Sequence, residues 1–120
     1  MLKLVVIVSS LFFVFVDSAV AQDGADLSGQ WTVTWDNNSQ NAMSVALTGG
    51  RFSGNYINDS KESCSVTGNF DAENSRLALQ IVCPNWDIRM QGQASSNGKA
   101  IEGSYQAYIN TTGKFTMSKQ

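Results

Sequence analysis

From residue 28 onward the sequence alternates between apolar and polar residues almost without interruption, and turn residues recur at short intervals. Alternation with a period of two is typical of half-buried β-strands, because successive side chains of a strand point to opposite faces. No segment of this region shows the sustained period of 3.6 residues that indicates an amphipathic helix. The pattern predicts eight strands, at residues 28–35, 42–48, 51–58, 64–70, 76–83, 86–95, 100–108 and 114–119.

Short turns determine how these strands pair. Gly49-Gly50 and Asn97-Gly98 are typical of two-residue hairpins, since both central residues of such a turn must accept a positive φ. The first turn places Leu47 opposite Phe52, so that an apolar side chain faces an apolar one. A shift of one residue would move every apolar side chain to the solvent face, so the pattern specifies the register.

Every connection between the predicted strands is short, which predicts an antiparallel meander. Eight strands with one apolar face and no helix to cover that face bury it by closing into an up-and-down barrel, which also removes both exposed edges. A two-sheet sandwich is the alternative. Side chains fill the interior of an eight-stranded barrel or leave room for one small ligand, and the sequence leaves both arrangements open.

The first 21 residues are predicted to be a cleaved signal peptide. Lys3 precedes an apolar run over residues 4–16, and Ala19-Val20-Ala21 is an A-x-A cleavage site. The run is shorter than the roughly 20 apolar residues of a membrane span. We therefore expect a signal peptide at residues 1–21 and a single β-barrel domain at residues 22–120, secreted or periplasmic, with no membrane association after cleavage.

Cys64 and Cys83 are the two cysteines of the chain. An even count in an exported chain predicts one disulfide. The turn at residues 71–75 sets Phe70 opposite Leu77 and thereby Cys64 opposite Cys83, which places the two cysteines within plausible bonding distance. Two free buried thiols are the alternative.

Composition argues against several classes of function. The chain has no histidine, the usual general base and a common metal ligand, and its cysteines are assigned to the disulfide. Its carboxylates fall in predicted loops or on polar faces, where a hydrolytic pair is not expected. The net charge of −2 is evenly scattered, unlike that of nucleic-acid binders. We expect no enzymatic activity, no metal, no cofactor and no nucleic-acid partner.

One end of the predicted barrel collects the longer loops, at residues 36–41, 59–63, 84–85 and 109–113. Aromatic and amide side chains near this open end suit a pocket with an apolar body and a few polar contacts. The candidate ligand-binding residues are Trp35, Met43, Tyr56, Asn58, Trp86 and Tyr108. Alternatively, these side chains fill the barrel.

Three N-x-S/T sequons begin at the same end, at Asn37, Asn58 and Asn110, and the sequence leaves open whether they carry glycans.

Several motifs resemble those of avidin- and streptavidin-like barrels, within the wider group that includes the lipocalins. Gly29-Gln30-Trp31 is similar to the Gly-x-Trp of these families, and the run at residues 50–56, GRFSGNY, resembles the third avidin strand. Trp86 opens the predicted sixth strand, as a biotin-stacking Trp does in avidins. The resemblance implies an eight-stranded barrel with a ligand site at its open end, while the oligomeric state stays open.

The chain departs from the avidin pattern at a position that contacts biotin. The resemblance implies an inward Asn two residues after Trp31, where this sequence has Val33, although Tyr56 is retained. We therefore expect the biotin site not to be intact.

The sequence thus predicts an exported, non-enzymatic β-barrel that binds a small, largely apolar ligand at its open end. The alternative is a secreted or periplasmic inhibitor of a protease or of lysozyme, which acts on an exported protein target by protein–protein contact. Residues 27–31, LSGQW, also resemble the first strand of some metalloprotease inhibitors.

Overall fold

The computed structural model of the protein describes residues 26–107 and 111–120. These residues form eight antiparallel strands, each paired with the next, and the last strand pairs with the first to close a barrel. The strands are β1 (Gly29–Trp35), β2 (Gln40–Thr48), β3 (Arg51–Ile57), β4 (Ser63–Asp71), β5 (Arg76–Val82), β6 (Asp87–Ala94), β7 (Ala100–Ala107) and β8 (Thr111–Lys119). The closed barrel, and not the sandwich, is therefore confirmed.

The register agrees with the expected alternation. Leu47 pairs with Phe52 across β2 and β3, and Phe70 pairs with Leu77 across β4 and β5. Two strands begin two or more residues earlier than predicted, β2 at Gln40 instead of residue 42 and β8 at Thr111 instead of residue 114. The added residues pair with the neighbouring strand through their backbone, but their polar side chains do not extend the apolar alternation that marked the strands in the sequence.

Large side chains fill the middle of the barrel. Trp31, Met43, Ile81 and Met90 are each at most 1% exposed. At the end opposite the longer loops, Leu27 is fully buried and its carbonyl accepts a 2.9 Å hydrogen bond from the Trp31 indole Nε1. This end of the barrel is therefore closed by the residues just before β1.

Glycine allows neighbouring strands to approach closely where the sheet bends. A Cβ placed on Gly103 would lie 1.9 Å from the carbonyl oxygen of Gln91, and one on Gly54 would lie 1.9 Å from that of Ser44. Any side chain at either position would collide with backbone atoms. These glycines let β7 and β3 curve tightly around the small barrel.

The predicted disulfide is confirmed. Cys64 near the start of β4 is bonded to Cys83 just after β5, with a Cα–Cα distance of 4.5 Å. Closing a loop of this length stabilises a folded domain by about 3 kcal/mol in the chain-entropy description. The bond fits an oxidising, extracellular type of compartment.

The predicted signal peptide lies outside the described residues. Among the described residues, no helix is long and apolar enough to cross a membrane.

Candidate functional site at the open end of the barrel

The connections between strands separate into two ends, because consecutive hairpins of a meander alternate. Tight turns at residues 49–50, 72–75 and 95–99 lie at the closed end. Residues 36–39, 58–62 and 83–86 lie at the other, open end. Of the candidate ligand-binding residues that the structure describes, four lie at this open end or at the strand ends leading into it: Trp35, Tyr56, Asn58 and Trp86. Met43 lies deeper, paired with Trp31 across β1 and β2. Tyr108 lies outside the described residues.

Trp35, the last residue of β1, is the centre of an aromatic cluster at the open end. It is 8% exposed, and its ring packs edge-on against Tyr56 at 6.1 Å and against Tyr105 at 5.0 Å between ring centroids. Its Nε1 donates to two oxygens, Tyr56 Oη at 3.1 Å and Asn41 Oδ1 at 3.0 Å. The cluster is thus fixed by hydrogen bonds as well as by ring contacts.

Tyr56 carries a buried hydroxyl whose donor capacity is unused. The side chain is 3% exposed, and its oxygen accepts the Trp35 bond. Within residues 26–107 and 111–120 the hydroxyl donates no hydrogen bond. The pKa of Tyr56 is raised to about 12, chiefly by burial; the bond from Trp35 lowers the pKa and the nearby Asp59 charge adds to the rise. A neutral O–H therefore lies at the open end with no acceptor among the described residues, and an unpaired buried donor is costly.

Asn41 belongs to this site, although the sequence pattern assigned it to a loop. It pairs with Val33 at the start of β2, and its side-chain Nδ2 donates to the Ile57 carbonyl at 3.0 Å and to Asp59 Oδ1 at 2.9 Å. Both amide protons are thus used within the protein. Continuing the alternation of β2 by two residues from Met43 would have identified Asn41 as an inward position.

Asn58 is 5% exposed and builds the turn after β3. Its Nδ2 donates to Glu62 Oε1 at 2.8 Å, and its Oδ1 accepts from the Glu62 backbone N–H at 2.9 Å. The side-chain amide is therefore engaged in holding the loop. A glycan on the Asn58 sequon would replace one of the two Nδ2 protons of this buried side chain.

The remaining predicted residues lie at different depths. Met43 pairs with Tyr56 and is 1% exposed, so it forms part of the buried wall beneath the hydroxyl. Trp86 is half-buried and packs against the core, while its carbonyl accepts a 2.8 Å hydrogen bond from the Cys83 N–H. The site therefore brings Trp35, Met43 and Tyr56 together.

Asp36 joins the loop after β1 to the β7–β8 hairpin, a connection that the sequence did not reveal. Its Oδ1 accepts from the Tyr105 hydroxyl at 3.0 Å, and its Oδ2 accepts from the Lys114 N–H at 3.3 Å. Partial burial and the Asp36 carboxylate together raise the pKa of Tyr105. The hydroxyl of Tyr105, unlike that of Tyr56, therefore has an acceptor.

The open end of the barrel thus offers the neutral Tyr56 hydroxyl as a hydrogen-bond donor, next to aromatic rings and the thioether of Met43. The described part of the chain holds no group of three or more acidic or cysteine side chains arranged to bind a metal ion.

No protein-family model matches the chain, and no curated protein is significantly similar to it.

Proposed function

We propose that this protein is an exported, non-enzymatic β-barrel that binds a small, largely apolar ligand at its open end. The unused donor of the buried Tyr56 hydroxyl carries this proposal, because a ligand acceptor atom would satisfy it. The rings of Trp35 and Tyr105 supply the apolar surface beside it. Most small-molecule sites combine an apolar lining with a few such polar groups.

The charges around the open end favour a neutral ligand. Asp36, Asp59 and Glu62 are acidic residues of the adjoining loops, and Lys61 is the basic residue between them. The Asn41 amide cannot donate further, because both its protons are already bonded. We therefore infer a flat or aliphatic molecule with one carbonyl-type acceptor directed at Tyr56.

The resemblance to avidin-like proteins supports the position of this site. The closed eight-stranded barrel is compatible with that group of folds, and Tyr56 corresponds to a residue that the resemblance implies at the ligand's acceptor atom. Val33 is fully buried where the avidin pattern has a polar residue. This difference favours a ligand with a smaller polar head group than that of biotin.

Native mass spectrometry of the exported protein tests the proposal. We expect a bound small molecule, or uptake of one from a library of neutral carbonyl compounds, and weaker uptake by Tyr56→Phe. Tyr105→Phe is the matched control, because it also removes one hydroxyl, but one that already has Asp36 as its acceptor. Equal retention of ligand by the Tyr56→Phe variant and the wild type would contradict the assignment.

Protein binding is the second candidate function, and the filled interior favours it. Trp31, Met43 and Met90 leave little room below the open end, since each is 1% exposed. A filled barrel would act through its surface, as an exported inhibitor does. Stoichiometric inhibition of an exported metalloprotease or lysozyme, unaffected by Tyr56→Phe, would support this second function over the first.

A further inference from the structure

A row of outward-facing side chains runs around the barrel, perpendicular to six consecutive strands. The register pairs each member with the next, from β3 to β8. The row consists of Arg51, Asn69, Ala78, Gln91, Ser104 and Lys114. Neighbouring strands lie roughly 4.8 Å apart, so the row extends roughly 24 Å around the surface. We refer to these six residues as the outer row.

The outer row forms the common floor of two concavities on the outside of the barrel. The larger has a volume of about 870 Å³ and extends towards Lys114, and the smaller has a volume of about 440 Å³ and includes Arg51 and Arg89. Both are lined by Asn69, Ala78 and Gln91. The two concavities therefore adjoin along the outer row and form one continuous groove, whose larger part reaches Trp35 and Asp36 at the open end of the barrel.

Most polar side chains of the outer row make no hydrogen bond within residues 26–107 and 111–120. Among the residues that the structure describes, the side chains of Asn69, Gln91 and Ser104 make no hydrogen bond. The side chains of Arg51 and Arg89 likewise make no hydrogen bond and no ion pair with any residue that the structure describes. Amides and hydroxyls supply both donors and acceptors, so the middle of the groove can bind a ligand that is rich in hydroxyl groups.

The charges of the groove differ from those of the whole chain. The chain has a net charge of −2, whereas the outer row has a cation at each end and no carboxylate. Arg89, on β6 two residues before Gln91, lies three strands from Arg51 and adds a second cation to the smaller concavity, whose lining holds no carboxylate. In the larger concavity, Arg76 pairs with Asp71, which offsets its charge, and Asp36 and Glu102 are the other two carboxylates of the lining.

We propose that this groove binds an extended carboxylated oligosaccharide. The planar guanidinium groups of Arg51 and Arg89 each match a carboxylate through paired hydrogen bonds, and the side chains of Asn69, Gln91 and Ser104 offer partners for the sugar hydroxyls. The ligand therefore lies along the groove with one carboxylate at each arginine and its hydroxyls over the amides.

An acidic peptide fits the same groove less well. Extended peptides bind sheets mainly by adding a strand to a free edge, and the closed barrel has no such edge among its eight strands. Ala78 is the one apolar side chain of the outer row, so the row has no pocket for an apolar peptide side chain. Sugar hydroxyls, in contrast, find partners along most of the row.

Titration calorimetry with short oligogalacturonates tests this inference on the mature, disulfide-bonded protein. We expect binding of the free-acid oligomer, weakening as ionic strength rises, and at least tenfold weaker binding of its methyl-ester form, which keeps the rings and loses the charges. The double variant Arg51→Gln/Arg89→Gln should lose at least tenfold in affinity for the free acid, and Gln91→Ala severalfold.

Lys99→Gln is the matched control, because it removes one positive charge from an exposed turn outside the groove. The affinity of Lys99→Gln for the free acid should remain within twofold of that of the wild type. The affinity of Tyr56→Phe should do the same, and this second control keeps the test independent of the open-end site. Equal binding of the acid and the ester, an equal loss in Lys99→Gln, or no binding of the free acid would overturn the proposal. Tighter binding of an oligoglutamate would assign the groove to acidic peptides instead.

Discussion

At the scale of single residues, Tyr56 and its neighbours determine what the open end can bind. The alternation of the sequence was sufficient to predict Tyr56 as an inward residue near the rim, and the structure confirms its burial. The sequence could not show that its hydroxyl accepts from Trp35 and donates to no described residue, because that depends on which groups reach hydrogen-bond distance after packing. Asn58 illustrates the same limit, since its amide is used by Glu62.

The raised pKa of Tyr56 predicts a loss of stability at high pH. The unfolded chain releases the tyrosine proton near pH 10, whereas the folded protein holds it until about pH 12. The unfolded state therefore binds fewer protons between these values, and the free energy of unfolding falls as pH rises through this window, by roughly 2–3 kcal/mol at most. Urea unfolding at pH 9 and pH 11.5 measures the change.

Tyr56→Phe should remove most of this alkaline loss, because the variant has no proton to release at this position. Tyr105→Phe is the comparison, since Tyr105 is less buried than Tyr56. A Tyr56→Phe variant that loses as much stability as the wild type above pH 10 would show that the Tyr56 pKa is not raised.

Val33 predicts that biotin does not bind with submicromolar affinity. An inward valine cannot donate to the ureido oxygen, and leaving that buried acceptor unpaired costs roughly 1–3 kcal/mol. Val33 is fully buried, so water cannot replace the missing donor from that side. Titration calorimetry with biotin checks this expectation, and submicromolar binding would show that the valine at position 33 does not disable the biotin site.

At the scale of elements, the strands were predictable wherever apolar residues alternate and less so where polar residues continue a strand. The extension of β2 to Gln40 makes Asn41 part of the strand and brings its amide to the site. The role of Gly103 was not predictable, because a glycine in a strand fits both a bulge and a close approach of backbones. The structure shows the close approach.

Gly103→Ala should destabilise the protein by about 1–3 kcal/mol. The added Cβ would lie 1.9 Å from the Gln91 carbonyl oxygen and 2.6 Å from the Gly92 Cα, both of them backbone atoms that cannot rotate away. Thermal or urea unfolding measures the loss. Ser104→Ala changes the next, exposed residue and should stay within about 0.5 kcal/mol of the wild type. Equal stability of Gly103→Ala and Ser104→Ala would contradict the close approach of β6 and β7.

At the scale of the whole molecule, the sequence determined the topology better than the function. Short turns, an even cysteine count and one apolar face led to the closed barrel and to the Cys64–Cys83 bond, and the structure shows both. How closely the interior is filled could not be predicted, because it depends on how side-chain volumes match the barrel. The outer groove was not predicted either, because the residues of its outer row are mostly polar and lie on six different strands. The cleaved signal peptide stays a prediction.

The binding of a ligand at Tyr56 is tested most directly by NMR titration of the ¹⁵N-labelled protein with acetophenone and with ethylbenzene, two flat molecules that differ in one carbonyl. We predict that acetophenone shifts the indole N–H signal of Trp35, whose proton is shared with Tyr56 Oη, and binds more tightly than ethylbenzene. Tyr56→Phe should weaken acetophenone binding by about twofold to tenfold and leave ethylbenzene binding unchanged. No shift with either compound, or equal acetophenone affinity in both proteins, would contradict a ligand site at the open end.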